Sequence, residues 1–310
     1  MTVRLLVLAA ALAALTTPAA AEDLRRTVVR DGVPRAYSVV DPDPKSGPGP
    51  VVFILHGGGG DAARMRRLGF EAAGTDAGLV TVYPEGRGGG WRDGRQDGVV
   101  AERSGEVDDV GFLVAVMDEL IAEGRADPRR IYVVGASNGG MMALRLACER
   151  PDRLAAVVAV IALLPAELEK SCRMPEPLPI MLMVGTDDKF VPLAGGPVAG
   201  FLNQDRGTVI SLDRTLAVLL PRLGCSGEPS RAALTDKSPG DGVTTERLDW
   251  ADCRGRGRLA LMKMQGAGHG WPGKAVPARG IRLDEFRGAT TLDFDGAAVA
   301  WEFLAPARRP

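Results

Sequence analysis

The sequence predicts an α/β fold: a mostly parallel central sheet with helices on both faces. Two observations carry this. Short, largely apolar runs (Val51 to Leu55, Leu79 to Tyr83, Ile131 to Val134, Leu154 to Ile161, Ile180 to Val184) read as strands buried on both sides. They alternate with amphipathic segments of helical period, the order expected of crossover connections.

Taken in order, Thr27 to Arg30 and Arg35 to Val40 flank Asp31-Gly32, a hairpin signal. A loop rich in Pro and Gly (41–50) leads into the Val51 strand, which ends in His56 and four glycines. Val110, Leu113, Val114, Met117, Leu120 and Ile121 recur at helical spacing, with Asp108 and Asp109 at the helix start, where carboxylates favour the dipole. Asp127-Pro128 ends the next connection, and Asn138 to Arg150 reads as a helix. Val209 to Leu220 reads as a helix stopping at Pro221, because proline lacks the N–H that a helix interior needs. Thr244 to Trp250 and Leu259 to Met264 read as strands, and Gly296 to Phe303 as a closing helix. Residues 86–106 and 193–208 are Gly-rich or polar and read as surface loops.

Arg4 precedes the apolar run Leu5 to Leu15, and Thr16-Thr17-Pro18-Ala19-Ala20-Ala21 follows. A charged start, an apolar centre too short to span a bilayer and a small-residue end make residues 1–21 an expected signal peptide. Residues 22–310 then form a single catalytic domain, expected to be secreted or periplasmic. No later run of 18 apolar residues occurs, so no stable membrane association is expected. Four cysteines, Cys148, Cys172, Cys225 and Cys253, suit an oxidising compartment. Pairing in sequence order closes the shortest loops and is the expected connectivity. With two His and no Cys-x-x-Cys, no metal site is expected. The formal net charge is −1 and the basic residues are dispersed, which argues against a nucleic-acid partner. The oligomeric state is not legible.

Gly135-Ala136-Ser137-Asn138-Gly139 lies between a strand and a helix. A Gly-x-Ser-x-Gly turn there exposes the serine hydroxyl on a tight bend, the arrangement of a nucleophile. Such a hydroxyl needs a base. His269, after the last strand, fits the chain order nucleophile, acid, histidine, and His56 is already placed in the glycine loop. Imidazole must be neutral to act as a base, so activity should fall as pH drops through roughly 6–7. The acid should follow the Ile180 strand, where Asp187 and Asp188 are both candidates. The oxyanion requires preorganised donors, for which Asn138 N–H and Gly57 or Gly58 N–H are the candidates. Trp91 and Trp271 are candidate walls of a substrate pocket.

With these residues in place, the chain resembles the α/β-hydrolase esterases of the poly(3-hydroxybutyrate) depolymerase-like, feruloyl and acetylxylan group. The likeness runs through Leu55-His56-Gly57-Gly58, Val107 to Phe112, Pro128 to Tyr132, Gly135 to Met142, His269-Gly270-Trp271-Pro272-Gly273 and Trp301-Glu302-Phe303. The resemblance implies the α/β-hydrolase fold and selects Asp188 over Asp187, through the family's Gly-Thr-x-Asp-x-x-Val-Pro segment. The family's cysteine shortly after a tryptophan, matched by Trp250 and Cys253, supports pairing Cys253 with Cys225. Two departures, Val184 for the family's frequent His and Gly270 for its frequent Thr, touch no triad role but bear on pocket shape.

The expectation is an exported serine carboxylesterase, acting without metal or cofactor through Ser137, His269 and Asp188. Its substrates would be small or oligomeric esters: feruloyl or acetyl groups on polysaccharide, or 3-hydroxybutyrate oligomers. An acyltransferase using the same triad and a hydrolase-fold binding protein without activity are the alternatives.

Overall fold

A computed structural model describes residues 22–95, 106–200, 206–274 and 286–310. The expected signal-peptide segment 1–21 and parts of the two expected loops (96–105 and 201–205) lie outside them. The chain opens with a hairpin of β1 (Glu22–Arg30) and β2 (Val33–Asp41), paired antiparallel from Glu22↔Asp41 to Arg30↔Val33. Asp31 and Gly32 both take positive φ, 50° and 75°, as a two-residue turn matched to strand twist demands.

Six parallel strands make the centre of the sheet: β3 (Gly49–Leu55), β4 (Val80–Pro84), β5 (Ala126–Ala136), β6 (Ala156–Val160), β7 (Pro179–Gly185) and β12 (Arg258–Gln265). With β10 (Ser230–Ala233) and β11 (Thr244–Trp250), the order is β1-β2-β4-β3-β5-β6-β7-β12-β11-β10, antiparallel at both margins. A separate two-residue pair joins β8 (Gly196–Pro197) and β9 (Thr208–Val209).

Side chains alternate across the strands, so each buries two sets. Phe53, Val133, Val157, Leu182 and Leu261 face one core. It is closed by α3 (Asp109–Ala122), α4 (Asn138–Glu149) and α6 (Leu212–Leu223), with the short α5 (Leu168–Ser171) beside them. Ile54, Val134, Val158, Met183 and Met262 face the other, under α1 (Ala62–Arg66), α2 (Phe70–Ala73) and α7 (Gly296–Leu304). Apolar burial on both faces is why the central strands lack polar alternation. Among the described residues no helix is long and apolar enough to cross a membrane.

Three local expectations are corrected. Asp127-Pro128 lies within β5 instead of ending a connection: Ala126 already pairs with Gly49, and a register shift passes the proline before regular pairing resumes at Val51↔Ile131. Pro221 lies inside α6, which runs on to Leu223 and ends on Gly224 at φ 64°. A proline in the last turn forfeits one amide bond, and burial of Leu219 and Leu223 carries the helix past it. That helix also begins later than the periodicity suggests, because Ser211 caps it by accepting the Arg214 N–H while Val209 pairs in β9. The disulfides join Cys148 to Cys172 and Cys225 to Cys253, the sequential pairing.

Candidate active site

Ligands of such sheets gather beyond the carboxyl ends of the strands, beside the point where connections diverge. Here β3 is flanked by β4 and β5, and Leu55 pairs with Gly135, so the chain leaves both strands at one edge. Further along, Gly185 of β7 pairs with Met264 of β12, which brings the loops carrying Asp188 and His269 to the same edge.

Ser137 links β5 to α4 with φ 53° and ψ −120°. A non-glycine residue there carries strain of roughly 1–3 kcal/mol, tolerated where the surroundings fix it. The surroundings are dense: Ser137 N–H donates to the Val160 carbonyl, and a Cβ on Gly139 would lie 2.4 Å from the Leu55 carbonyl oxygen. Only glycine lets helix and strand approach so closely.

His269 Nε2 stands 2.9 Å from Ser137 Oγ, and its Nδ1 stands 2.7 Å from Asp188 Oδ2. A carboxylate only accepts, so Nδ1 carries the proton and Nε2 presents its lone pair to the serine. Asp188 is buried, and its Oδ1 accepts the N–H groups of Phe190 and Val191 at 2.8 and 2.9 Å. Asp187 is exposed, and its carboxylate accepts the Thr186 hydroxyl. Thus Asp188, of the two neighbours, meets the imidazole.

The His56–Gly60 loop lies beside Ser137. A Cβ on Gly57 would be 3.4 Å from Ser137 Cβ, so this glycine packs directly on the elbow. His56 is buried and engaged within the loop: Nδ1 donates to the Gly57 carbonyl and Nε2 accepts the Gly86 N–H, both at 2.9 Å. Burial holds its imidazole below the ordinary value, against the opposing pull of Glu85, Asp61 and Asp109. Among the described residues its ring nitrogens bond to neither Ser137 nor Asp188; His56 braces the loop.

Neither tryptophan is an open pocket wall. Trp91 is 1% exposed, and its indole N–H is spent on the His56 carbonyl. Trp271 is 8% exposed and packs edge-on to Phe70 in the core under α2 and α7. Their bulk is used in packing because the loops bearing them fold back on the sheet. The aromatic group at the imidazole is Phe190, its ring centroid 4.9 Å from that of His269, with Phe286 edge-on at 4.6 Å. Sequence reasoning missed both; the place of Phe190, two residues past the acid, was the available signal. The room for a side chain at position 270 is taken by Thr290, whose Oγ1 would lie 1.8 Å from a Cβ there. That contact accounts for Gly270.

Asp108 caps α3 through Gly111 N–H, as its position suggests. Asp109 departs from expectation: fully buried, it pairs with buried Arg35 and accepts the Arg92 N–H at 2.7 Å. Next to it, Asp93 and Arg95 form a second buried ion pair. A buried charge is tolerated when paired and hydrogen-bonded, and these two pairs clamp residues 90–95 beside α4. No cluster of His, Cys, Asp or Glu suited to a metal ion occurs among the described residues.

Compared with known proteins, residues 68–167 match the prolyl oligopeptidase family. The chain is 33% identical over 290 residues to NocK of Nocardia uniformis subsp. tsuyamanensis, an esterase by name, covering 90% of this chain and 81% of that protein. It is 27% identical over 166 residues to feruloyl esterase B of Piromyces equi, covering 53% of this chain and 29% of that one. Among solved structures, a thermostable esterase matches with a TM-score of 0.56 at 15% identity, over 93% of this chain and 63% of its own. The acetyl xylan esterase from Aspergillus awamori matches with a TM-score of 0.56 at 16% identity, over 85% and 98%. The structural likenesses speak to the fold.

Proposed function

The chain belongs to the α/β-hydrolase esterases, and from that premise we propose that it hydrolyses carboxylic esters through an acyl-enzyme on Ser137. The observation that carries this is the unbroken hydrogen-bond chain from Asp188 through His269 to Ser137.

In the proposed reaction Ser137 Oγ bonds to the ester carbonyl carbon while its proton passes to His269 Nε2. Asp188 holds the imidazole tautomer and stabilises the imidazolium. The carbonyl oxygen becomes an alkoxide, held by the N–H groups of Asn138 and of Gly57 or Gly58, each such donor being worth on the order of 3–4 kcal/mol. Collapse breaks the C–O bond, and the departing alcohol takes the proton from Nε2. Water then gives a proton to Nε2 as its oxygen attacks the acyl carbon. The second collapse releases the acid and returns the proton to Oγ. No step calls on a metal or cofactor.

For the acyl group we favour small or aromatic acids. One relative is named a feruloyl esterase and one fold neighbour an acetyl xylan esterase. Feruloyl, acetyl and 3-hydroxybutyrate oligomer esters are the panel to rank. The two disulfides support an exported enzyme, in keeping with a cleaved leader over residues 1–21.

The test is Ser137→Ala. Ester turnover should fall by roughly 10⁴-fold or more, and covalent labelling by an alkyl phosphonate should vanish. Retained turnover would overturn the proposal. Product analysis with an added alcohol acceptor separates hydrolysis from acyl transfer.

A further inference from the structure

We propose that Trp91 is a positioning residue that sets both halves of the oxyanion-binding site, coupling the Gly57 amide to the helix start at Asn138. The inference rests on the esterase reading above and adds a role to a residue that touches neither substrate nor triad.

Trp91 is bonded in two directions. Its indole N–H donates to the His56 carbonyl at 2.8 Å. The described chain has no cis peptide, so the His56–Gly57 unit is planar and trans. In such a unit the carbonyl and the following N–H point oppositely. Fixing the His56 carbonyl therefore fixes the direction of the Gly57 N–H, on a residue packed against Ser137. In the other direction, the Trp91 backbone pairs with the Asn138 side chain. Trp91 N–H donates to Asn138 Oδ1 at 2.8 Å, and Asn138 Nδ2 donates to the Trp91 carbonyl at 3.0 Å. The amide side chain thus mimics a neighbouring strand, and it holds the residue whose own N–H is the first proposed donor. Asn138 Nδ2 also donates to Asp93 Oδ2 at 2.6 Å.

The brace is rigid and dry. Trp91 is 1% exposed, Asn138 3% and Asp93 1%. The His56 ring lies 5.1 Å from the indole and holds the following peptide by donating to the Gly57 carbonyl. Arg92, the next residue, is tied to buried Asp109 through its N–H and to Arg145 through its carbonyl. An oxyanion site acts by being aligned before charge develops, so its value lies in such fixed donors.

The experiment compares wild type with Trp91→Phe, which keeps an aromatic ring and deletes the indole N–H. A second variant carries β-(3-benzothienyl)alanine at position 91, which keeps the bicyclic shape and replaces N–H by sulfur; it serves where the phenylalanine variant does not fold. The expected result is a fall in kcat of about tenfold or more with KM within twofold. A trifluoromethyl ketone that adds Ser137 Oγ to its carbonyl should weaken by the same factor as kcat/KM, since both report the tetrahedral alkoxide. A folded variant with kcat within twofold of wild type would overturn the proposal. So would a fall in kcat that leaves ketone affinity unchanged, the mark of general loosening. Phosphonate labelling of Ser137 in wild type is run alongside: its absence would overturn the esterase reading itself, a failure distinct from that of the brace.

Discussion

At the scale of single residues, the two adjacent aspartates show how environment assigns roles to identical side chains. Asp188 is buried, accepts two backbone N–H groups on one oxygen and meets His269 with the other. Asp187 faces solvent and holds a turn hydroxyl. Asp188→Asn should therefore lower kcat by roughly 10³–10⁴-fold, because an amide can hold the wrong imidazole tautomer. Asp187→Asn should stay within twofold of wild type, and steady-state kinetics on a soluble aryl ester checks both. Spacing alone could not separate the pair, since one step along the chain is a change of direction and depth rather than of chemistry. Phe190 shows the same limit: nothing in its identity says that its ring will lie against an imidazole 79 positions away.

At the scale of an element, the loop leaving β3 is held by a histidine that has to stay neutral. His56 uses a proton on Nδ1 and a lone pair on Nε2, so an imidazolium there would face the Gly86 N–H with a second donor. Burial is the leading cause of its lowered pKa. The native value lies below the unfolded value of 6.5, so below about pH 6.5 the unfolded chain binds a proton that the native chain refuses. The contribution of His56 to stability is thus whole above that pH and is lost as pH falls toward the native pKa. His56→Asn removes the titration and should flatten the acid limb of stability. Urea midpoints at pH 8 and pH 5.5 test this: the fall should be larger in wild type than in the variant.

At the scale of the whole molecule, the two disulfides fasten α4 to α5 and the end of α6 to the turn before β12. Their sequence separations are 24 and 28 residues. Closing loops of that size restricts the unfolded chain by about 3.5 kcal/mol each. The double variant C225S/C253S should lose roughly 3 kcal/mol of unfolding free energy. Its kcat should remain within twofold, since neither cysteine meets the triad. Urea unfolding paired with an activity assay reads both.

The sequence by itself determined the long strands of the sheet, their mostly parallel arrangement, the strand–turn–helix bend at Ser137 and the place of His269 after the last strand. These follow from apolar periodicity, from the narrow tolerance of a tight turn for anything but glycine at its flanks, and from the scarcity of histidine in this chain. Tertiary structure decided what depends on depth and on contacts between distant segments. It carried a helix past Pro221 on the strength of buried leucines, turned two tryptophans from open walls into packing, and buried Asp109 against Arg35. The physical reason is that a local pattern specifies backbone geometry. Which polar atoms meet in a dry interior is fixed only when loops from several strand ends converge at one edge of the sheet.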